Sequence, residues 1–242
     1  IVYDSDPASE WDEALLKGSF FSASAAECAP HDFSLIESLL WTPGDGFSLL
    51  SLHLERLRAS AVYFGFSYLE EAVNAALDGH ATAVCGIAPR KVRLLLSRSG
   101  ELSVSSVEIE PPDTSALARF AMSDCAVLST NPFLYHKTTE RGFYNEQLER
   151  VLRHGLFDVV FTNERGEVTE GARTNLLARI GGRLFTPPVS CGLLGGVFRR
   201  HLLRAGLAEE RVLFPDDLFS AENVYLCNSV RGIVEVDVRP VM

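Results

Sequence analysis

Apolar residues in the first half of the chain repeat with two different spacings. Leu50, Leu54, Leu57 and Ala61 recur every three or four positions within residues 49–63, which predicts an amphipathic helix. Other apolar runs are short and bounded by Gly, Pro and Ser, as strands are. They predict strands at 33–41, 90–97, 101–109 and 120–128 and a second helix at 69–77. This order favours an α+β arrangement, with helices on one side of an antiparallel sheet.

Glycine residues divide the second half of the chain into short elements. Helical spacing over residues 144–154 ends at Gly155, a residue typical of a helix C-terminus. The pair Gly181-Gly182 predicts a hairpin turn, and Gly196 lies where a further helix begins that extends to Ala205. The strands predicted in this half are residues 158–161, 176–180, 183–185, 223–228 and 233–238. Pattern alone therefore indicates a mixed α and β fold.

Composition and charge exclude several classes of protein. The chain has 242 residues, of which 47% are hydrophobic, and this is ample material for a buried core. A net charge of −10 argues against nucleic-acid binding, which needs clustered Lys and Arg. No apolar run approaches the length of a membrane span. The five cysteines are scattered and lack a C-x-x-C pair, so we expect no metal site, no disulfide framework and a cytoplasmic location.

The candidate chemistry centres on Lys137 and Glu170. Lys137 stands in Tyr-His-Lys-Thr-Thr, and Glu170 follows in the turn-rich segment Asn-Glu-Arg-Gly-Glu-Val-Thr-Glu-Gly. Pyridoxal phosphate (PLP) chemistry requires a lysine that holds the aldehyde as a Schiff base and an acid that keeps the ring nitrogen protonated. Neither residue is decisive alone, because a lysine beside aromatic residues is usually a surface residue.

Six segments give these two residues a context. They are residues 33–41, 52–60, 136–139, 167–175, 186–199 and 227–232. In this order they resemble the class IV aminotransferases, the PLP enzymes of fold type IV, and most of all the 4-amino-4-deoxychorismate lyase branch. The resemblance implies two subdomains, 32–129 and 130–242, with the cofactor in the cleft between them, and a homodimer.

The resemblance also implies how the cofactor is held. Lys137 carries it and later acts as the general base, and Glu170 pairs with the pyridine nitrogen. Arg56 matches the arginine that binds the cofactor phosphate, in a His-x-x-Arg-Leu segment. Asn175 orders the loop beside the ring. We expect structural roles for the neighbouring His53 and for His136.

The phosphate loop departs from the family pattern. The family often has a Pro-Gly-Ile-Thr type of sequence at this helix start, whereas this chain has Gly-Gly-Val-Phe. The usual hydroxyl is lost, so the expected donors are the backbone amides at Gly196 and Val197. Ser229 is a candidate replacement hydroxyl. The candidates for binding the substrate carboxylates are Arg141, Tyr144, Arg173 and Arg231.

The beginning of the chain resembles a different family. Residues 1–17 are similar to the C-terminal end of the chorismate-utilising synthases, component I, and residues 19–31 have the composition of a linker. Residues 1–31 are therefore predicted to be the tail of a chorismate-binding domain plus a linker. This predicts that an upstream synthase domain is fused to the part of the chain described above.

The expected function is that of a PLP-dependent 4-amino-4-deoxychorismate lyase, which eliminates pyruvate and releases p-aminobenzoate for folate biosynthesis. The neighbouring synthase segment favours this reaction over amino transfer. Two alternatives remain open. One is a class IV aminotransferase for branched-chain or D-amino acids, and the other is a cofactor-free scaffold domain that serves the synthase.

Overall fold

A computed structural model describes residues 32–84, 88–110 and 117–238. A smaller sheet is formed by the strands β1 (Leu35–Thr42), β2 (Gly46–Phe47), β3 (Arg90–Leu96) and β4 (Leu102–Glu108). The strand order is β2-β1-β3-β4, and every neighbouring pair is antiparallel. The antiparallel sheet predicted from the first half of the sequence is therefore confirmed, except that the strand predicted at 120–128 pairs within the larger sheet.

Two helices cover one face of this smaller sheet. Helix α1 (Leu50–Phe64) ends at Gly65, whose positive φ of 68° suits glycine, and α2 (Glu70–Ala83) follows. In β3, Val92 and Leu94 are buried, whereas Lys91 and Arg93 are exposed. Side chains along a strand alternate between its faces, so the apolar set packs under the helices and the cationic set lies on the open face.

The larger sheet contains the remaining described strands, which are β5 (Ala118–Met122), β6 (Asp158–Thr162), β7 (Val168–Gly171), β8 (Asn175–Ile180), β9 (Arg183–Thr186), β10 (Glu209–Glu210), β11 (Asn223–Asn228) and β12 (Gly232–Asp237). Their order is β10-β9-β8-β11-β12-β5-β6-β7. β12, β5 and β6 run parallel, and β9, β8, β11 and β12 are antiparallel. The sheet is therefore mixed.

Strand β6 shows why this half contains continuous apolar runs. Val160 packs in a core cluster with Leu213 and Leu218, close to the short helix α5 (Pro215–Ser220). Its neighbours Val159 and Phe161 pack in another cluster, against helix α3 (Gly142–Leu152). Both faces of the strand are covered, so it needs no polar face. The remaining described α-helix is α4 (Val197–Arg204), and two short 3-10 helices are formed by Pro132–Leu134 and Val189–Cys191.

The structure corrects the predicted strand at 120–128, because β5 ends at Met122. Ser123 Oγ accepts a hydrogen bond from the Cys125 amide at 3.1 Å and donates to the Cys125 carbonyl at 3.0 Å. This local turn competes with the continuation of the strand. Among the described elements, the short strands β2, β7 and β10 and the short helix α5 were not predicted.

Some predictions are not decided by this architecture. Residues 1–31, with the predicted synthase tail, lie outside the described residues, and the subdomain boundary at 129/130 stays a prediction. None of the described helices is both long enough and apolar enough to cross a membrane. Within the described ranges, no group of three His, Cys, Asp or Glu residues is placed to hold a metal ion.

Candidate active site

A cavity of about 410 Å³ is lined by residues from both sheets. The smaller sheet contributes Ser38 from β1, Lys91 from β3, and Val107 and Glu108 from β4. The structure also brings nearly all predicted site residues to this lining, namely Arg56, Lys137, Arg141, Glu170, Arg173, Asn175, Gly196, Val197, Ser229 and Arg231. Residues distant in sequence thus converge on one space.

Lys137 is fixed through its backbone to the edge of β1. Its carbonyl accepts the Ile36 amide at 2.8 Å, and Thr138 forms a bridge with Leu35. Burial, together with the charges of Arg141 and Arg56, lowers the pKa of Lys137 to about 7. Near neutral pH a large fraction of this lysine is therefore a free amine, the form that attacks an aldehyde or accepts a proton.

Glu170 lies at an irregularity of the larger sheet. Between the register pairs Val160–Gly171 and Thr162–Val168, β6 has one residue and β7 has two, Thr169 and Glu170. This count is that of a β-bulge, a feature that redirects side chains and is common beside active sites. Thr169 Oγ1 donates to the Phe161 carbonyl at 3.1 Å, and Glu170 is one of the residues lining the cavity.

The environment of Glu170 favours its protonated form. Burial raises the pKa of this carboxyl to about 8, although the charges of Arg141 and Lys137 and a hydrogen bond from the Leu194 amide act in the opposite direction. Asn175 Nδ2 donates to Glu170 Oε2 at 3.2 Å and to the Leu194 carbonyl at 2.9 Å. Asn175 thus joins the acid to the loop that precedes α4, in line with its predicted ordering role.

Arg56 is held in place by a buried carboxylate that the sequence analysis did not assign. Arg56 Nε donates to Glu37 Oε1 at 2.9 Å and Nη2 donates to Oε2 at 2.6 Å. His53 Nδ1 donates to the same Oε2 at 2.6 Å. Burial would raise the pKa of Glu37, but the Arg56 charge and the His53 hydrogen bond bring it down to about 2. The carboxylate stays ionised and fixes the guanidinium.

Two signals in the sequence could have revealed this cluster. Glu37 is a carboxylate within an otherwise apolar strand, and such a group requires a cationic partner. His53 and Arg56 are three residues apart on one helix, and they therefore share a face. The predicted structural role of His53 agrees with its contact to Glu37.

The start of α4 approaches the side chain of Asn175 closely. Gly196 is the residue before the helix, and a Cβ built on it would lie only 1.8 Å from Asn175 Oδ1. A Cβ on the preceding Gly195 would meet nothing nearer than Val189 Cγ2, at 3.8 Å. Gly196 is thus required by a close contact. Among the described residues no acceptor is recorded for the Val197 amide, which remains available to an anion.

Ser229 is placed at the cavity, although its hydroxyl proton is already used. Its Oγ donates to the Ser38 carbonyl at 3.2 Å, and this bond links the segment after β11 to β1. A phosphate oxygen would have to compete with this carbonyl for the proton. The Ser229 hydroxyl, predicted to replace the lost one, therefore lies at the cavity but already donates to Ser38.

Arg141 and Tyr144 are placed differently from each other. The Arg141 guanidinium donates to the Ala172 carbonyl and lies 5.1 Å above the Tyr144 ring, and Arg141 lines the cavity. Tyr144 is not among the lining residues, because its ring is packed edge-on against Phe161 in the core beside α3. The structure therefore does not bring Tyr144 to the position expected of a substrate contact. Its hydroxyl has no partner among the described residues.

The residues of this cavity fit PLP. Lys137 supplies an amine for the aldehyde, Glu170 a carboxyl for the pyridine nitrogen, and Arg56 with the α4 amides a cationic and polar cradle for the phosphate. Burial has shifted the pKa values of Lys137 and Glu170 towards their neutral forms, and such perturbed groups cluster at functional sites. The site therefore has the parts that a PLP enzyme needs.

Comparison with known proteins gives the family. The profile described as "Amino-transferase class IV" matches residues 34–238. The chain belongs to the class IV aminotransferase family. Members of this family are PLP-dependent enzymes. A curated protein of Schizosaccharomyces pombe, named "Putative aminodeoxychorismate lyase", is 30% identical over 210 residues, covering 83% of this chain and 87% of the relative.

Solved structures of class IV enzymes share the fold. A "Putative amino-acid aminotransferase" from Mesorhizobium loti superposes with a TM-score of 0.80 and 35% identity, covering 85% of this chain and 99% of that one. The PLP-bound form of "a hypothetical aminotransferase" from Mycobacterium tuberculosis gives a TM-score of 0.73 and 21% identity, covering 86% and 83%. The predicted PLP fold type IV is thereby confirmed.

Proposed function

We propose that this chain is a PLP-dependent lyase that converts 4-amino-4-deoxychorismate to p-aminobenzoate and pyruvate. The observation that carries the proposal is the pair formed by Lys137 and Glu170 in one cavity, an amine with a pKa of about 7 and an acid with a pKa of about 8. The lyase name of the S. pombe relative supports this choice of reaction.

The residues have separate tasks in this reaction. PLP, when bound, supplies the aldehyde that captures the substrate amine and a ring that withdraws electrons. Lys137, once free, accepts the proton from the ring carbon that bears the nitrogen. The bond between the ring and the enolpyruvyl oxygen then breaks, so enolpyruvate leaves with the electron pair and becomes pyruvate on protonation. The substrate ring becomes aromatic, and no oxidant or amino acceptor is consumed.

Three further groups orient the reactants. The Glu170 carboxyl would share a proton with the pyridine nitrogen of bound PLP, and it is held by Asn175. Arg56, fixed by Glu37, and the Val197 amide would bind the phosphate. The Gly196 amide, a predicted donor, is already bonded to the Leu194 carbonyl at 2.7 Å. Arg141, Arg173 and Arg231 are the proposed partners of the substrate carboxylates, because all three line the cavity.

An aminotransferase is the second candidate, because the M. loti protein with that name shares 35% identity. Both reactions need the same lysine and acid, and they differ in the need for a keto acid. A cofactor-free scaffold is the remaining alternative. The retained set of Lys137, Glu170 and Arg56 in one cavity argues against it.

The test is to incubate the PLP-loaded protein with enzymatically generated aminodeoxychorismate, without keto acid, and to quantify pyruvate and p-aminobenzoate. We expect equal amounts of both, a loss of at least about 1000-fold in Lys137→Ala, and a smaller loss in Glu170→Gln. Glu167→Gln is the matched control, because Glu167 lies in the same segment but pairs with Arg165 and is not among the lining residues.

The other outcomes select the alternatives. If nitrogen is exchanged between an amino acid and a keto acid while no pyruvate is released from aminodeoxychorismate, the protein is an aminotransferase. If both assays fail and PLP produces no absorbance band with the purified protein, the scaffold alternative is correct.

A further inference from the structure

The cavity has a cluster of cationic side chains in addition to Arg56 and Arg141. Lys91 lines it from strand β3, while Arg173 and Arg231 line it from loops of the larger sheet, after β7 and after β11. We define these three residues as the cationic rim. Lys91 pairs with Leu40 and Val107 in the strand register, so its own sheet surrounds it with apolar side chains.

The cationic rim is poorly neutralised by the protein. No ion pair is recorded for Lys91 or Arg231 among the described residues. Arg173 Nη2 donates to the Phe157 carbonyl at 2.5 Å, while its Nε is buried without an acceptor in the described part of the chain. Partial burial at the cavity lowers the pKa of Lys91, although the side chain as a whole is exposed, and the charges of Arg93, Arg173 and Arg231 lower it further.

Two carboxylates, Glu108 and Glu110, also line the cavity, but they do not neutralise the cationic rim. Glu108 is paired with Arg90 at 3.0 Å, and the side chain of Glu110 is exposed to water. The carboxylate of Asp158 lies near Arg173 but is buried in the core. It already accepts hydrogen bonds from the Thr174 hydroxyl and from two backbone amides. Like charges that converge without partners cost free energy, and an anionic ligand would remove that cost.

We propose that Lys91, Arg173 and Arg231 together form an anion site that binds one carboxylate of a dicarboxylic substrate and so selects such substrates over those with a single carboxylate. The inference rests on the proposed function and adds to it a residue from the smaller sheet. The site draws its cations from both sheets, so an anion bound there would connect β3 to the loops of the larger sheet across the cavity.

The consequence concerns affinity more than the chemical step. The rim does not include Lys137 or Glu170, so removing one of its charges should weaken binding while the proton transfer proceeds. We expect KM to rise and kcat to change little when Lys91 loses its charge. If Lys91 instead supported folding in general, its substitution would lower the fraction of active protein and leave KM unchanged.

The test measures binding of chorismate to the PLP-loaded protein by calorimetry. Chorismate has both carboxylates and carries a hydroxyl where aminodeoxychorismate has its amine, so it can occupy the site without forming a Schiff base. Lys91→Met is expected to weaken chorismate binding at least about tenfold, as expected for loss of a hydrogen bond to a charged group. The matched control is Arg93→Met, which removes an equal charge on the same face of β3 but outside the cavity lining.

A parallel titration with p-aminobenzoate identifies the carboxylate that is bound. A matching loss in Lys91→Met would assign the rim to the ring carboxylate, and retained binding would assign it to the enolpyruvyl carboxylate. Either result supports the anion site. It would be overturned if wild-type protein failed to bind chorismate at millimolar concentration, or if Lys91→Met and Arg93→Met behaved alike. Chorismate binding needs no turnover, so loss of the pyruvate signal with retained Lys91-dependent binding would count against the proposed reaction alone.

Discussion

The two cationic regions of the cavity are built in opposite ways. Arg56 is only 9% exposed, and two of its nitrogens are already bonded to a carboxylate that is 3% exposed. Lys91 and Arg231 are exposed, and no ion pair holds either of them among the described residues. The first region is hydrogen-bonded in place before any ligand arrives, which suits a cofactor that stays bound. The second keeps its charge available, which suits a substrate that is exchanged in every turnover.

This difference has an energetic consequence. A buried ion pair contributes little net stability, yet removing one partner leaves an uncompensated charge and is costly. An exposed cation is hydrated, and removing it changes the free energy of unfolding little. Substitutions in the region of Arg56 should therefore affect stability and cofactor binding, whereas substitutions in the cationic rim should affect substrate binding.

The largest effect on stability is expected for Glu37→Gln. The change leaves Arg56 buried with a neutral partner, and we expect a loss of about 3 to 5 kcal/mol in the free energy of unfolding, measured by urea denaturation at pH 7. Glu108→Gln is the control, since Glu108 also pairs with an arginine but its side chain is 64% exposed. It should cost less than about 1 kcal/mol.

The same pair of variants has a defined pH dependence. The folded-state pKa of Glu37 lies near 2, below its ordinary value of 4.5, so its contribution to stability is present above about pH 4.5 and is lost as the pH falls towards 2. The stability difference between wild type and Glu37→Gln should shrink over this range. If Glu37→Gln and Glu108→Gln lowered the free energy of unfolding equally, the proposed distinction between the two regions would be wrong.

A smaller effect is expected for Gly196→Ala. The new methyl group would displace Asn175, and with it the contact that holds Glu170. We expect PLP to bind at least about tenfold more weakly, which is roughly 1.4 kcal/mol. Fluorescence quenching on titration with PLP measures this change. Gly195→Ala has room for its methyl group and should retain wild-type affinity, and if it were equally impaired, the contact with Asn175 would not be the cause.

The smallest effect is expected for Glu55→Gln. Glu55 on α1 binds Arg200 at 2.6 Å and Arg204 at 2.9 Å, both on α4. It thereby links the helix that carries Arg56 to the helix whose start is proposed to bind phosphate. We expect PLP affinity to fall about threefold at low salt, and the difference to vanish at high salt because exposed pairs are screened.

The variant Glu149→Gln is the control for the contact between α1 and α4. Glu149→Gln removes a carboxylate from an exposed pair with Arg153 within one segment of the chain, at 3.6 Å, and it should leave PLP affinity unchanged. A salt-independent loss in Glu55→Gln, or an equal loss in Glu149→Gln, would show that the connection between α1 and α4 does not support the phosphate region.

Much of the fold was predictable from the spacing of apolar residues, because many of its helices and strands bury only one face. Helix α1 was predicted at 49–63 and observed at Leu50–Phe64, and the strands predicted at 90–97 and 101–109 were observed as β3 and β4. Strand β7 was missed because its four residues carry a bulge and follow a turn, so no alternation could be read from them. Its pairing depends on β6, which local sequence does not encode.

The candidate site was predictable as a set of motifs, but their partners were not. Lys137, Glu170 and Arg56 were found from their segments, and the structure brings them to one cavity. Lys91 was not assigned, because its importance arises from the arginines that lie across the cavity. Glu37 was missed although a carboxylate in an apolar strand signals a cationic partner. The position of Tyr144 depends on which side of α3 packs against Phe161, and the motif alone does not determine this.

The bulge in β7 restricts how this chain can change in length. Thr169 and Glu170 share the place of one residue opposite Phe161, and each has its own partner in the fold. Deleting either one would restore a regular ladder, but it would remove either the Thr169 hydroxyl that donates to the Phe161 carbonyl or the cavity carboxylate of Glu170. The preceding turn is anchored as well, because the side chain of Asn163 is buried and donates to the Cys191 carbonyl at 2.8 Å, and Glu164 accepts the Ser129 amide at 2.8 Å. Insertions and deletions in related chains should therefore be rare from Asn163 to the end of β7.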